Sequence, residues 1–105
     1  MSAAYAGPMI RHVAVFRWID GTTPDQVAAL RAGLDRMPTE VPSVRSYSHG
    51  PDLGLGEGRW DYAVVAEFDD AAGYEAYVDD PAHDAVRRDL LGPLVADRGH
   101  VQLQL

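Results

Sequence analysis

Apolar and polar residues alternate from Ile10 to Trp18, with Ile10, His12, Ala14, Phe16 and Trp18 on one face and Arg11, Val13, Val15 and Arg17 on the other. A two-residue period predicts a strand, and apolar centres on both faces predict cover on both sides. The period then changes. Val27, Leu30, Leu34 and Met37 recur at helical spacing and form one apolar stripe. Thr23-Pro24-Asp25-Gln26 opens that helix: Thr23 is the expected N-cap, Pro24 suits the first helical position, and Gln26 completes a capping box. Gly33 weakens the helix, and Pro38 stops it beyond Met37.

A Pro-marked connection over Val41 to Val44 leads to a second strand, about Val44 to His49, which ends at Gly50-Pro51. Asp52 to Gly58 is a Gly-rich loop. A third strand follows, about Trp60 to Phe68, with Trp60, Tyr62, Val64, Ala66 and Phe68 sharing a face. A short helix starts near Asp69 or Asp70 and carries Tyr74, Tyr77 and Val78; another opens at Asp80-Pro81, an N-cap followed by proline, and runs to about Leu91 before Gly92-Pro93. The last strand is expected over His100 to Leu105, where Val101, Leu103 and Leu105 alternate with Gln102 and Gln104. The order β-α-β-β-α-β, with the second helix split, predicts an α+β, ferredoxin-like subunit with an antiparallel four-stranded sheet.

Helices cover one face of such a sheet, yet Val13, Val15, Ala63 and Val65 place apolar residues on the other. Bare apolar sheet of that extent does not suit a monomer. Two sheets packed about a two-fold axis would cover it, which predicts a homodimer through the open sheet face and hence a dimeric α/β barrel.

Composition narrows the function classes. The chain has 105 residues, the size of one domain, with a flexible arm expected over residues 1–8 and the domain over 9–105. Nine basic against 16 acidic residues give a formal charge of −7, which argues against nucleic-acid and anionic-membrane partners. Cysteine is absent, so disulfides and thiolate metal sites are excluded. No apolar run approaches the ~18 to 20 residues of a membrane span, and Met1 to Pro8 lack the basic start and apolar stretch of a secretory signal. A cytoplasmic location is the expectation.

Several chemical signals fail. Gly54-Leu55-Gly56-Glu57-Gly58 is not a dinucleotide fingerprint, because Arg59 occupies the third glycine's place and a strand follows. Asp79 and Asp80 point only weakly to a metal, since Asp80 is accounted for as an N-cap, and no metal site is expected. His49 and His100 stand at strand ends without ligand-like spacing. Three residues remain. His12 lies in the middle of an apolar strand face, where a hydrogen-bonded core histidine is the plain alternative. His83 belongs to the stripe of Val86 and Leu90, near a helix N-terminus that disfavours a cationic imidazole. Tyr77 precedes His83 by a tight turn that would bring its hydroxyl near the imidazole, with Tyr74 the alternative on the same helix.

These residues resemble the stress-responsive A/B-barrel domain family over about Ile10 to Leu105. The marks are Ile10 to Trp18, Gly50, Tyr62 to Phe68, and Tyr77 with Pro81-Ala82-His83. The resemblance implies a ferredoxin-like subunit that dimerises into a barrel. The family includes plant stress proteins and a plant polyketide cyclase working by aldol condensation, whose pocket histidines and tyrosine map onto His12, Tyr77 and His83. The family often has His before the proline; this chain has Asp80 there, which changes the charge at the pocket's edge.

Two functions compete. One is a cofactor-independent cyclase- or lyase-type enzyme on a small carbonyl-rich, possibly polyketide, substrate. His12, Tyr77 and His83 would do acid–base chemistry, and Phe16, Trp18, Tyr74, Val86 and Leu90 would contact a small apolar or aromatic ligand. The other is a non-catalytic stress-response or ligand-binding protein in which the histidines are satisfied core residues. A haem-degrading or quinol-oxidising monooxygenase on a similar barrel is a minor third.

Overall fold

A computed structural model describes residues 8–105; Met1 to Gly7, most of the expected arm, lie outside the described residues. Strand β1 (Ile10–Trp18) leads through α1 (Pro24–Asp35) and a short α2 (Met37–Glu40) to β2 (Val44–Pro51) and β3 (Tyr62–Phe68). Helices α3 (Ala71–Asp79) and α4 (Pro81–Val86) follow, then a π turn (Arg87–Leu91), a 3-10 turn (Gly92–Leu94) and β4 (Val95–Gln104). The four strands pair antiparallel in the order β2-β3-β1-β4, the ferredoxin-like arrangement.

Local chemistry explains the boundaries. The Thr23 side chain accepts the Gln26 backbone N–H at 3.2 Å, and the Gln26 side chain accepts the Thr23 N–H at 2.9 Å, so the capping box is complete. The first helix ends at Asp35 rather than Met37. Pro38 has no N–H to extend it, but proline suits a first turn, and the chain starts a new turn at Met37 that buries its side chain.

In β2 the register shifts between Val44 and Ser46, which leaves Arg45 as an extra, bulged residue. The shift matters for the core. Val44 opposes Phe68 on the helical face, and beyond the bulge Tyr47 and His49 oppose Ala66 and Val64 on that same face.

Two boundaries differ from the expected ones. The last strand begins at Val95, not His100, because the polar stretch from Asp97 to Gly99 hides its alternation while its backbone pairs with β1. An Arg17–Asp97 ion pair of 3.1 Å joins the two strands there. Trp60 precedes β3 and does not share a face with Tyr62. Its ring lies over Gly99, 3.6 Å from where a Cβ would stand, beside Val15 on the other side of the sheet.

The core lies between the helical face of the sheet and the helices. Tyr62, Phe68, Leu30, Met37 and Val41 are its largest fully buried side chains. The opposite face carries Val13, Val15, Ala63 and Val65, with Val101 and Leu103 from β4 at 56% and 44% exposure. Arg11 and Glu67 form an ion pair at one end of this apolar strip, and Arg17 and Asp97 one at the other. No helix among the described residues is long and apolar enough to cross a membrane.

Close packing of α1 on the π turn sets one requirement. A Cβ at Gly33 would come 2.7 Å from Leu90 Cδ1 and 3.4 Å from Val86. Gly33→Val therefore overpacks this contact and is expected to lower unfolding stability by about 1–3 kcal/mol in urea titration. A stability equal to wild type would show that the contact yields freely.

Candidate functional site

Between the sheet and α3–α4 lies an open cavity of about 200 Å³. The floor comes from β1 through His12, Ala14 and Phe16, and α3 contributes Tyr74 and Tyr77. His83 and Val86 come from α4, Arg87 and Leu91 from the π turn, and Arg98 and His100 from β4.

His83 is placed by a joint at Asp80. The Asp80 backbone N–H donates to the Tyr77 carbonyl at 3.3 Å and closes α3, while its carboxylate accepts the Ala82 N–H at 2.8 Å and opens α4. The chain doubles back there, and the His83 imidazole meets the Tyr77 ring with centroids 4.0 Å apart. Its Nδ1 is buried without a hydrogen-bond partner. Burial pushes the His83 pKa below the ordinary imidazole value, partly offset by the nearby Val78 backbone carbonyl.

His12 is 9% exposed. Burial first, then the nearby His100 and His83, lower its pKa from 6.5 to about 4. The Gln102 side-chain amide donates to His12 Nδ1 at 2.8 Å and lies 3.1 Å from His100 Nδ1. With the amide nitrogen as donor, His12 Nδ1 must accept, so the ring proton sits on Nε2. The Tyr74 ring packs 5.1 Å from His12.

The expected site is brought together in part. His12, Tyr77, His83, Phe16, Tyr74 and Val86 all line the cavity. Trp18 and Leu90 do not. Trp18 lies parallel to Phe16 at 6.3 Å and against Tyr62 at 5.7 Å, and Leu90 points at Gly33. The Tyr77 hydroxyl does not orient His83 as expected. It is hydrogen-bonded to the Tyr47 hydroxyl at 2.8 Å, and Tyr77 touches His83 through its ring. Burial raises the Tyr77 pKa to about 12, so the phenol stays protonated.

His100 is not idle: it turns to the cavity alongside Arg98. With the strand starting at Val95, Arg98, His100 and Gln102 alternate onto the helical face; Arg98 lies before the expected strand start, and His100, expected at the strand's end, stands across from Ala14 of the cavity floor. His49 bridges Asp35 at 2.7 Å and the Tyr62 hydroxyl at 2.7 Å, tying α1 to the sheet away from the cavity. Among the described residues no cluster of three or more His, Cys, Asp or Glu is placed to hold a metal ion.

These features define a ferredoxin-like α+β protein with a histidine-lined cavity between sheet and helices. Residues 10–103 match the model of the Stress responsive A/B Barrel Domain, and the chain belongs to that family. A dimeric ferredoxin-like protein of unknown function from Thermobifida fusca is 44% identical, with a TM-score of 0.87 over 94% of this chain and 92% of that one. A protein of the same family from Mesorhizobium loti is 22% identical, with a TM-score of 0.77 over 91% and 95%. Hydroxynitrile lyase from Passiflora edulis is 17% identical, with a TM-score of 0.81 over 93% and 94%. At these identities the last two bear on the fold alone. A comparison with curated proteins finds no match.

The lowered His12 pKa has a stability consequence. Between about 4 and 6.5 the unfolded chain binds a proton at His12 that the folded chain does not. The His12 contribution is thus fully present above pH 6.5 and is lost as pH falls towards about 4. Urea midpoints measured across this window should fall with acidification, and less so in His12→Asn. Equal slopes in the two proteins would contradict the assignment.

Proposed function

We propose that the cavity binds a small, largely apolar carbonyl compound and that His83 and His12 move a proton next to its carbonyl group without a cofactor. The observation that carries this reading is a pair of imidazoles kept neutral by burial in the wall of one cavity, one of them with its tautomer fixed. The buried Nδ1 of His83 cannot reach a ligand, so Nε2 is its reactive nitrogen. It takes the proton from the carbon beside the carbonyl, and the electron pair moves to oxygen as an enolate. His12 Nε2–H donates a hydrogen bond to that oxygen as the negative charge forms. A positioned base contributes about 10² to 10⁴-fold and oxyanion stabilisation a few kcal/mol. Tyr77 acts as a positioning residue through ring contact with His83. Aldol cyclisation begins with such a proton transfer; a hydroxynitrile lyase shares the fold, and its cyanohydrin chemistry moves a proton at oxygen instead of carbon.

The second reading is a non-catalytic ligand-binding or stress-response protein. One observation favours it: the Tyr77 hydroxyl is taken up by Tyr47 and is withheld from His83. Deuterium exchange at the α-carbons of phenylacetone in D2O, followed by NMR, separates the two. Wild type should accelerate exchange, and His83→Ala should lose about 10²-fold or more of the acceleration. Equal rates in the two proteins would leave the binding reading.

The open sheet face is proposed to join a second copy about a two-fold axis, giving the dimeric barrel. A central apolar strip with ion pairs at its ends has the anatomy of an interface, and the Thermobifida fusca relative is dimeric. Val101 is already exposed in the subunit, so Val101→Glu should spare the fold while charging this face. Sedimentation velocity should give a dimer for wild type and a shift towards monomer for the variant. A monomeric wild type would sink the proposal.

A further inference from the structure

The charge of the cavity runs against the charge of the chain. The sequence carries 16 acidic and 9 basic residues, yet no Asp or Glu lines the cavity, while Arg87, Arg98, His12, His83 and His100 do. The two arginines differ. Arg87 shares Asp84 with Arg88, at 2.8 and 3.3 Å, and Arg88 is also paired with Asp89, so two carboxylates balance two guanidiniums there. Arg98 has no ion pair among the described residues. Its neighbour Asp97 is committed elsewhere: one carboxylate oxygen accepts from Arg17 at 3.1 Å and the other from the Arg98 backbone N–H at 2.9 Å.

Arg98 stands on the helical face of β4, directly across from Phe16 of the cavity floor. An apolar floor thus ends at a guanidinium with no carboxylate partner among the described residues. The space of about 200 Å³ exceeds the ~150 Å³ of an engineered protein cavity that accepts benzene.

We propose that the cavity takes an anionic ligand, a carboxylate on an apolar body of about one ring, with the Arg98 guanidinium binding the carboxylate and Phe16 and Tyr74 packing on the ring. The proposal rests on the cavity being a ligand site, as proposed above, and adds the charge of what enters it. A carboxylate suits a guanidinium because two parallel N–H bonds can form.

Isothermal titration of the whole protein with benzoate, benzamide and benzylamine tests it. Benzoate should bind about 10-fold or more tighter than benzamide, the size expected of hydrogen bonds to a charged group, with benzylamine weakest. Arg98→Gln, an exposed substitution on an edge strand, should weaken benzoate far more than benzamide and so abolish the preference. Benzoate binding should also raise the His12 pKa from about 4 in histidine NMR titrations. The proposal is overturned if benzamide binds as tightly as benzoate, if Arg98→Gln keeps the preference, or if none of the three binds at millimolar concentration. These outcomes are independent of the ketone exchange assay. Loss of exchange with retained benzoate preference removes the catalytic reading alone, whereas exchange without charge preference removes the anionic ligand alone.

Discussion

A sheet has two faces, and the helices of this chain cover one of them. Most of its other features follow from that limit. Strand β1 serves both sides, with His12, Ala14 and Phe16 turned to the helices and Val13 and Val15 turned away. Strand β4 lies at the edge, pairs only with β1, and has its polarity inverted: Arg98, His100 and Gln102 are on the helical side and Val101 and Leu103 on the other. The helical-side residues of this edge strand are largely solvated, so polar side chains cost little there. The inversion gives the cavity a polar rim beside an apolar floor. It also extends the apolar strip on the opposite side, where exposed Val101 and Leu103 lengthen the surface left for a partner.

The site depends on a second limit, the geometry of a helix. In an unbroken helix, residues six apart lie about 240° round the axis and about 9 Å along it. Tyr77 and His83 are six apart, and their rings are 4.0 Å apart between centroids. The break at Asp80 is what allows this. Its extended backbone ends α3, its carboxylate starts α4, and Pro81 occupies the position where a missing N–H is harmless. Asp80 also stands near enough to His83 to favour its protonated form slightly, opposing the burial that keeps the ring neutral. The carboxylate found where the family often has histidine therefore has a structural task and a small electrostatic one.

The element order, the two-sided strands and both N-caps were legible because each has a local cause: alternation, helical spacing, or a capping side chain two or three residues from the N–H it binds. What stayed hidden has a non-local cause. The start of β4 depends on pairing with β1 rather than on its own apolar pattern, so Arg98 fell outside the expected strand, and His100 stood at its end with nothing local to show that it lines the cavity. The bulge at Arg45 is visible only in the register against β3. The π turn is visible only in the hydrogen bonding, where the Gly92 N–H bonds the Arg87 carbonyl five residues back, and Arg87 and Leu91 of this widened turn line the cavity. The partner of the Tyr77 hydroxyl is Tyr47, thirty residues away on strand β2, and no spacing rule near Tyr77 points there. The His12 tautomer depends on Gln102 across the strand pair, which no pattern around His12 shows.

Standing charge and neutral imidazole sit on different residues of the cavity, and burial explains why. An ionised imidazole at His12 would have to shed water at a cost that the surroundings do not repay, since the charged groups that act on it are two more histidines, which also disfavour the charge. Buried histidines can therefore hold and pass protons at neutral pH but cannot supply a standing positive charge. A guanidinium does not lose its proton on partial burial, and Arg98 remains exposed at the rim where its hydration is kept. A ligand bearing a negative end would meet its counter-charge at the edge and the neutral imidazoles further in. The net charge of −7 sharpens the contrast: no Asp or Glu lines the cavity, so an anion at the Arg98 rim meets no carboxylate in the cavity wall.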